Sequence, residues 1–312
     1  MDEQRPLLAG VLAGFPPDDE AEAVLRGRDA SGKLNTPLAT VVRAFPAPSE
    51  REDAWPVRIH TLGAFSLTLK GKPISLDAAA GQQACNVLKA LIALGGRRVS
   101  PEELAAALWP QADGSAAQQS IIAALRALRN RLGESCLQVS PDGCIELDSH
   151  FCWIDTWDFE WTLALARRIV NEDRTGADAD RLEQLSSRLL ELYQGHFLTG
   201  EDHTSWSVSL RERLRMKFIR HLLDAGHYWE CSKLWDRAIS CYQRGLELDD
   251  LVEEFYQRLM VCCLETNNSN EGLAVYRRCR KVLSIVLGLQ PAPETEALQY
   301  SLTGAMPGKH TA

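Results

Sequence analysis

The chain has 312 residues, with 34 basic and 42 acidic side chains and a formal net charge of −8. Its 45% hydrophobic and 24% charged residues are globular averages, which excludes collagen-like, coiled-coil and wholly disordered chains. At roughly 100–200 residues per domain the length predicts two domains with a surplus. No apolar run approaches the ~20 residues that span a bilayer, and the N-terminus has neither a basic start nor a usable cleavage pattern. Nine cysteines, an odd number without Cys-x-x-Cys spacing, are expected as reduced thiols that serve as small apolar core residues in a cytoplasmic protein. Cys136, Cys144 and Cys152 recur every eight residues near His150, but a hairpin setting disfavours zinc there. No metal, cofactor or membrane association is expected.

Residues 1–55 are rich in Pro, Gly and acid, with six basic against ten acidic side chains. They contain a short amphipathic stretch (Glu20 to Leu25), an apolar run (Pro37 to Phe45) and a charged linker around Ser49 to Asp53. From Val57 the pattern changes. Val57, Ile59 and Thr61 alternate with Arg58 and His60, then Phe65, Leu67 and Leu69 with Ser66, Thr68 and Lys70, predicting two half-buried strands. A turn at Gly71-Lys72 leads to a third short strand, Pro73 to Leu76. The first helix is expected over Gln82 to Leu94, stopped by Gly95-Gly96. Ser100-Pro101-Glu102-Glu103 is a capping box that opens a second, short helix ending at Trp109-Pro110. After a loop, Gln111-Ala112-Asp113-Gly114, a third helix runs from Ser115 as N-cap to Leu132 and stops at Gly133. Leu137 to Val139, the turn Ser140-Pro141-Asp142-Gly143, and Ile145 to Leu147 predict a hairpin.

Residues 155–303 read as helical throughout. The segments "RAISCYQRGLEL" (237–248) and "EGLAVYRRCRKV" (271–282) align with an offset of 34 residues, so Ala238 meets Gly272, Tyr242 meets Tyr276 and Gly245 meets Cys279. That is the tetratricopeptide period. In the second unit Met260 stands where the first has Gly226.

Strands, three helices with a short middle one, and a hairpin together describe a winged helix-turn-helix, whose third helix can enter a major groove. On that helix Ile121, Leu125, Leu128 and Leu132 form the core stripe. Gln119, Ala123, Arg126 and Asn130 face the opposite way, flanked by Ser120, Ala124, Ala127 and Arg131, with Arg129 on the other shoulder. Gln and Arg read adenine and guanine edges bidentately. The candidate DNA-binding set is therefore Gln119, Ser120, Arg126, Arg129, Asn130 and Arg131, with Arg97 and Arg98 ahead of the second helix. The net charge of −8 does not oppose this reading directly. It divides into −4 over residues 1–55, +1 over 56–150 (nine basic, eight acidic) and −5 over 151–312 (19 basic, 24 acidic).

The strings "VRIHTLGAFSLTLKGKPISL", "RVSPEELAAALWP" and "ALRALRNRLG" resemble the winged-helix module of bacterial antibiotic-regulatory-type activators. "ELYQGHFLTGED" (191–202) and "EGLAVYRRCRKVLSIVLGLQPAPETEAL" (271–298) resemble their bacterial transcriptional activator domain. "CWIDTWDFE" (152–160) is most similar to the variant at the C-termini of large maltose-regulator-like ATPases, although no Gly-x-x-x-x-Gly-Lys-Ser/Thr occurs in this sequence. The resemblance implies a mainly α protein with a small β component: a winged helix-turn-helix of the OmpR type at 56–150, then an all-α tetratricopeptide-like activator domain at 151–304 and a tail at 305–312. It implies a non-enzymatic, sequence-specific transcription regulator, an activator, that binds double-stranded DNA. The helical domain would serve oligomerisation, as a homodimer or with a partner protein, or signal input. The loop Gln111, Ala112, Asp113 and Gly114 would face RNA polymerase. Two departures, alanines at 123, 124 and 127 and an acidic wing tip, motivate the alternative of a protein-interaction adaptor that has lost DNA readout.

Overall fold

The computed structural model describes residues 55–75, 79–173, 176–201 and 204–304. The stretches expected at Glu20 to Leu25 and Pro37 to Phe45, the linker after them, Leu76 and the tail 305–312 lie outside the described residues. The chain divides into two compact units, one holding residues up to Leu165 together with Ser187–Arg215, the other Ala166–Ser186 and the residues from Met216 on. The fold is mainly α, a winged helix-turn-helix followed by a tetratricopeptide-like helical array. No described helix is long and apolar enough to cross a membrane.

In the first unit β1 (Val57–His60), β2 (Ser66–Leu69) and β3 (Lys72–Pro73) form an antiparallel meander. Val57, Ile59 and Leu67 point into the core at 3% exposure or less, the period-two alternation read from the sequence. The third strand is shorter than expected, and its exposed Lys72-Pro73 pair makes it an edge. A fourth strand, β6 (Cys152–Ile154), was not legible as a strand. It pairs in parallel with β1, giving the order β3-β2-β1-β6. All three of its residues are buried, so it shows a continuous apolar run with no alternation to betray it.

The helices α1 (Ala79–Ala93), α2 (Pro101–Leu108) and α3 (Gly114–Leu132) follow as predicted, with small shifts at their ends. The capping box is complete: the Ser100 hydroxyl accepts from the Glu103 amide at 3.1 Å, and Glu103 accepts from the Ser100 amide at 2.9 Å. Those bonds hold the Glu103 carboxyl below its ordinary pKa. The N-cap of α3 is Asp113 rather than Ser115. The Ser115 hydroxyl, already inside the helix, donates to the Asp113 carboxylate at 2.6 Å. β4 (Leu137–Val139) and β5 (Ile145–Leu147) form the predicted hairpin. The segment before α2 joins it, through reciprocal Val99–Ile145 backbone bonds of 3.0 and 2.8 Å.

Helix α4 (Asp155–Glu172) begins directly after β6. Its first residue, Asp155, is fully buried and accepts three hydrogen bonds at the end of β1. They come from the Thr61 amide (2.5 Å), the Leu62 amide (2.7 Å) and the Thr61 hydroxyl (2.6 Å). Burial pushes its carboxyl up to about 6 against the pull of those donors. The segment around Phe197 lies along the same turn: Leu198 donates to Thr61 O at 2.8 Å and Gly63 donates to His196 O at 3.1 Å. Lys89, buried on α1, pairs with Glu201 from that segment. Sequence placed a boundary at 150/151, but residues 152–165 and 187–201 share a compact unit with the strands because these bonds tie them together.

The second unit holds the end of α6 (Ser205–Cys231), then α7 (Trp235–Leu248), α8 (Glu253–Glu265), α9 (Ser269–Val282) and α10 (Pro293–Thr303). Tyr242 is wholly buried against Gly226, where an added Cβ would come within 2.3 Å of its ring. Gly245 admits the Phe255 ring in the same way. One repeat later Tyr276 packs with Met260, Cys263 and Leu302, so the bulkier Met260 replaces the glycine contact. The buried carboxylate of Glu230 is satisfied by the Tyr242 hydroxyl (2.7 Å) and by Arg258 (3.0 Å). Seven of the nine cysteines are buried, in the apolar role expected, and among the described residues no group of three or more His, Cys, Asp or Glu is placed to hold a metal.

Two outcomes follow. Asp155→Ala leaves three buried donors unpaired and should cost about 3–5 kcal/mol in denaturant unfolding, whereas Asp155→Asn, which keeps an acceptor oxygen, should cost less. His221 is buried against Ser186 Oγ at 3.1 Å, and burial lowers its pKa from 6.5 to about 4. The unfolded chain therefore takes up the extra proton between those values. Stability from this site is full above pH 6.5 and is lost as pH falls toward 4. Between pH 7 and 4.5 wild type should lose about 2 kcal/mol more stability than His221→Gln, read from urea midpoints.

Candidate nucleic-acid interface

Helix α3 divides its surface by angle. Ala117, Ile121, Ala124, Leu125, Leu128 and Leu132 are buried, and this stripe fixes which side turns outward. Gln119, Ala123, Arg126, Asn130 and Arg131 are exposed, while Ser120, Ala127 and Arg129 are half-buried. Ala124, placed on the outer flank by the sequence, belongs instead to the core at 2% exposure. It sits about 70° from the centre of the core stripe on a wheel of 100° per residue, and packing settles such shoulder positions.

The wing is built from its turn. Ser140 O accepts from Gly143 N at 2.8 Å and Ser140 N donates to Cys144 O at 2.9 Å, with Pro141 and Asp142 between them. Gly143 has φ +84°, the left-handed position such a hairpin requires. Asp142 accepts from the Ser140 hydroxyl and the Cys144 amide, and these bonds, the Ser140 one foremost, hold its carboxyl below the usual range. Arg98 Nη2 meets the same carboxylate at 3.1 Å on the surface. The acidic tip thus pairs with one of the arginines of the candidate DNA-binding set.

Arg129 has a structural partner too. Its Nε and Nη2 both donate to Leu137 O, at 3.3 and 3.2 Å, clamping the first wing strand to α3. Arg97 lies over the Trp157 ring, 5.0 Å from its centroid. Of the eight predicted residues, Gln119, Arg126, Asn130 and Arg131 come together as an exposed strip, Ser120 flanks it, and Arg97, Arg98 and Arg129 are each engaged within the protein. Gln111, Ala112, Asp113 and Gly114 are exposed before and at the start of α3.

Between α3 and the wing lies a groove of about 480 Å³, lined among others by Gln118, Ile122, Arg126, Arg129, Val139 and Pro101. Ile122 (53% exposed) and Val139 (47%) are the exposed large apolar side chains of its lining. Sequence reading passed over both. Ile122 falls outside the core stripe on the helical wheel, and that mismatch was the available signal.

Residues 154–303 match the bacterial transcriptional activator domain family. The chain is 25% identical over 266 residues to the regulatory protein AfsR of Streptomyces coelicolor, covering 83% of this chain and 25% of that protein. It is 28% identical over 225 residues to AfsR of Streptomyces griseus, covering 70% and 22%. It thus spans about a quarter of the length of these curated relatives. Among solved structures, Mycobacterium tuberculosis EmbR in complex with a low-affinity phosphopeptide shares the fold, with a TM-score of 0.59 and 21% identity over 81% of this chain and 66% of that one.

The clamp is open to test. Arg129→Ala should lower stability by about 1 kcal/mol. It should also speed amide exchange in β4 and β5 while leaving α1 unchanged, because the lost bonds belong to the wing.

Proposed function

Because residues 154–303 belong to the bacterial transcriptional activator domain family, we propose that this chain is a transcription regulator of the activator type that reads duplex DNA with α3. The observation that carries this reading is the outward strip of Gln119, Arg126 and Asn130 on a helix braced by α2 and flanked by a wing. Bidentate contacts from Gln to adenine and from Arg to guanine supply sequence discrimination of about 1–3 kcal/mol each. Arg131, at the C-terminal end of the strip, reaches the phosphate backbone, and Ser120 supports it from the shoulder. Arg97 and Arg98 approach the backbone at the wing, where Arg98 must share itself with Asp142. Arg129 acts by positioning the wing.

Residues 56–150 carry a net charge of only +1, so counterion release from one copy is small. Useful affinity then calls for a second copy or a partner, a role assigned here to residues 151–304, which also suit signal input. The exposed loop Gln111 to Gly114 is assigned to RNA polymerase. The apolar groove walls, Ile122 and Val139, favour a second reading in which the winged helix docks a protein instead.

Selection from random duplexes at low salt separates the two, since an adaptor enriches no sequence. On the selected duplex, Arg126→Ala should weaken binding by about 5- to 100-fold. If Arg126 reads a base the slope of affinity against salt stays unchanged, and if it holds a phosphate the slope falls by about one. Equal binding of every duplex by wild type and variant would overturn the reading.

A further inference from the structure

Gln118, Ile122, Arg126 and Arg129 follow one another at helical spacing down the wing-side shoulder of α3, and all four line the groove. Three of them are polar or charged. Ile122 alone is a branched aliphatic side chain, 53% exposed, between exposed Gln119 and Arg126. Folding gains little from it there. It lies outside the buried stripe, and isoleucine is a poorer helix former than the alanines around it. Ala116 and Ala123, also exposed on α3, are short, so at those two positions no long side chain stands between the helix backbone and a surface.

A major groove offers one apolar feature among its donors and acceptors, the 5-methyl group of thymine. An aliphatic side chain set between a Gln and an Arg that face base edges is complementary to that methyl and not to the donors and acceptors around it. Building on the DNA-reading assignment above, we infer that Ile122 is a specificity-determining residue that packs on a thymine methyl, while Gln119 and Arg126 bond the adjoining base edges. The alanines then permit close approach to the bases.

Replacing thymine by uracil removes only the methyl and keeps the pairing and the groove-edge acceptors. The test uses the full chain and its best selected duplex, with each thymine changed singly to uracil. One position should weaken wild-type binding about fivefold, the worth of one buried methyl. Ile122→Ala should bind the thymine duplex about fivefold more weakly or worse and be indifferent to uracil at that position. Ile122→Val, with an unchanged melting temperature, should keep most of the sensitivity. Wild-type indifference to uracil at every position, or full uracil sensitivity in Ile122→Ala, overturns the role of Ile122 and leaves DNA reading standing. A duplex bound equally well by wild type and Ile122→Ala also overturns it, and assigns the groove walls to another ligand. Failure to select any duplex overturns both.

Discussion

A single buried carboxylate organises the first unit. Asp155 stands 94 residues from Thr61, and its two oxygens collect both backbone amides and the hydroxyl where β1 ends. An amide left there without a partner would be a buried orphan donor, so the carboxylate meets a cost of about 1–3 kcal/mol for each. The same three-residue turn carries the backbone bonds to His196, Phe197's neighbour Leu198 and Thr199. Thr61 to Gly63 is thus where the meander, the start of α4 and the segment after α5 (Ala179–Leu192) are joined. Truncating the chain at residue 150 would strip β1 of its parallel neighbour and of this carboxylate. Residues 152–165 and 187–201 therefore belong to the same compact unit as the strands.

Within that unit, three arginines on and near the winged helix are engaged by the protein itself. Arg129 is held by Leu137 O, Arg98 by Asp142 and Arg97 over Trp157. Two of these contacts hold the wing, Arg129 to its first strand and Arg98 to its tip, while Arg97 packs on the Trp157 ring. The exposed surface that remains carries Gln119, Ile122, Ala123, Arg126, Asn130 and Arg131. On the proposed DNA-reading role, such a surface would favour discrimination between base edges over tight backbone binding, in keeping with the low positive charge of this part of the chain.

The helical unit solves a different problem. Its repeats bring helices close by pairing a tyrosine with a small residue, as Tyr242 does with Gly226, and the polar tips of the rings reach carboxylates. Tyr242 donates to Glu230 and Tyr276 to Glu296, at 2.7 and 2.8 Å. The second repeat tolerates Met260 because an unbranched side chain adapts to the gap. His221 adds a neutral buried imidazole that resists acid only as long as it stays uncharged.

Features written over a few neighbouring residues were determined by the sequence alone. The capping box at Ser100, the stop at Gly133, the turn Ser140 to Gly143 and the 34-residue offset each rest on contacts within a turn or on a fixed repeat. The outward position of Gln119, Arg126 and Asn130 followed from the same periodicity. Tertiary structure decided the rest. β6 is a three-residue buried run without alternation, and Asp155 looks like any acid in a first helical turn until Thr61 is beside it. Ala124 lay at an angle that only packing could assign, and Arg129 and Arg98 were indistinguishable from free cations until Leu137 O and Asp142 came within reach. A hydrogen bond to a residue far along the chain leaves no periodic trace in the sequence around either partner, so only the folded chain can show it.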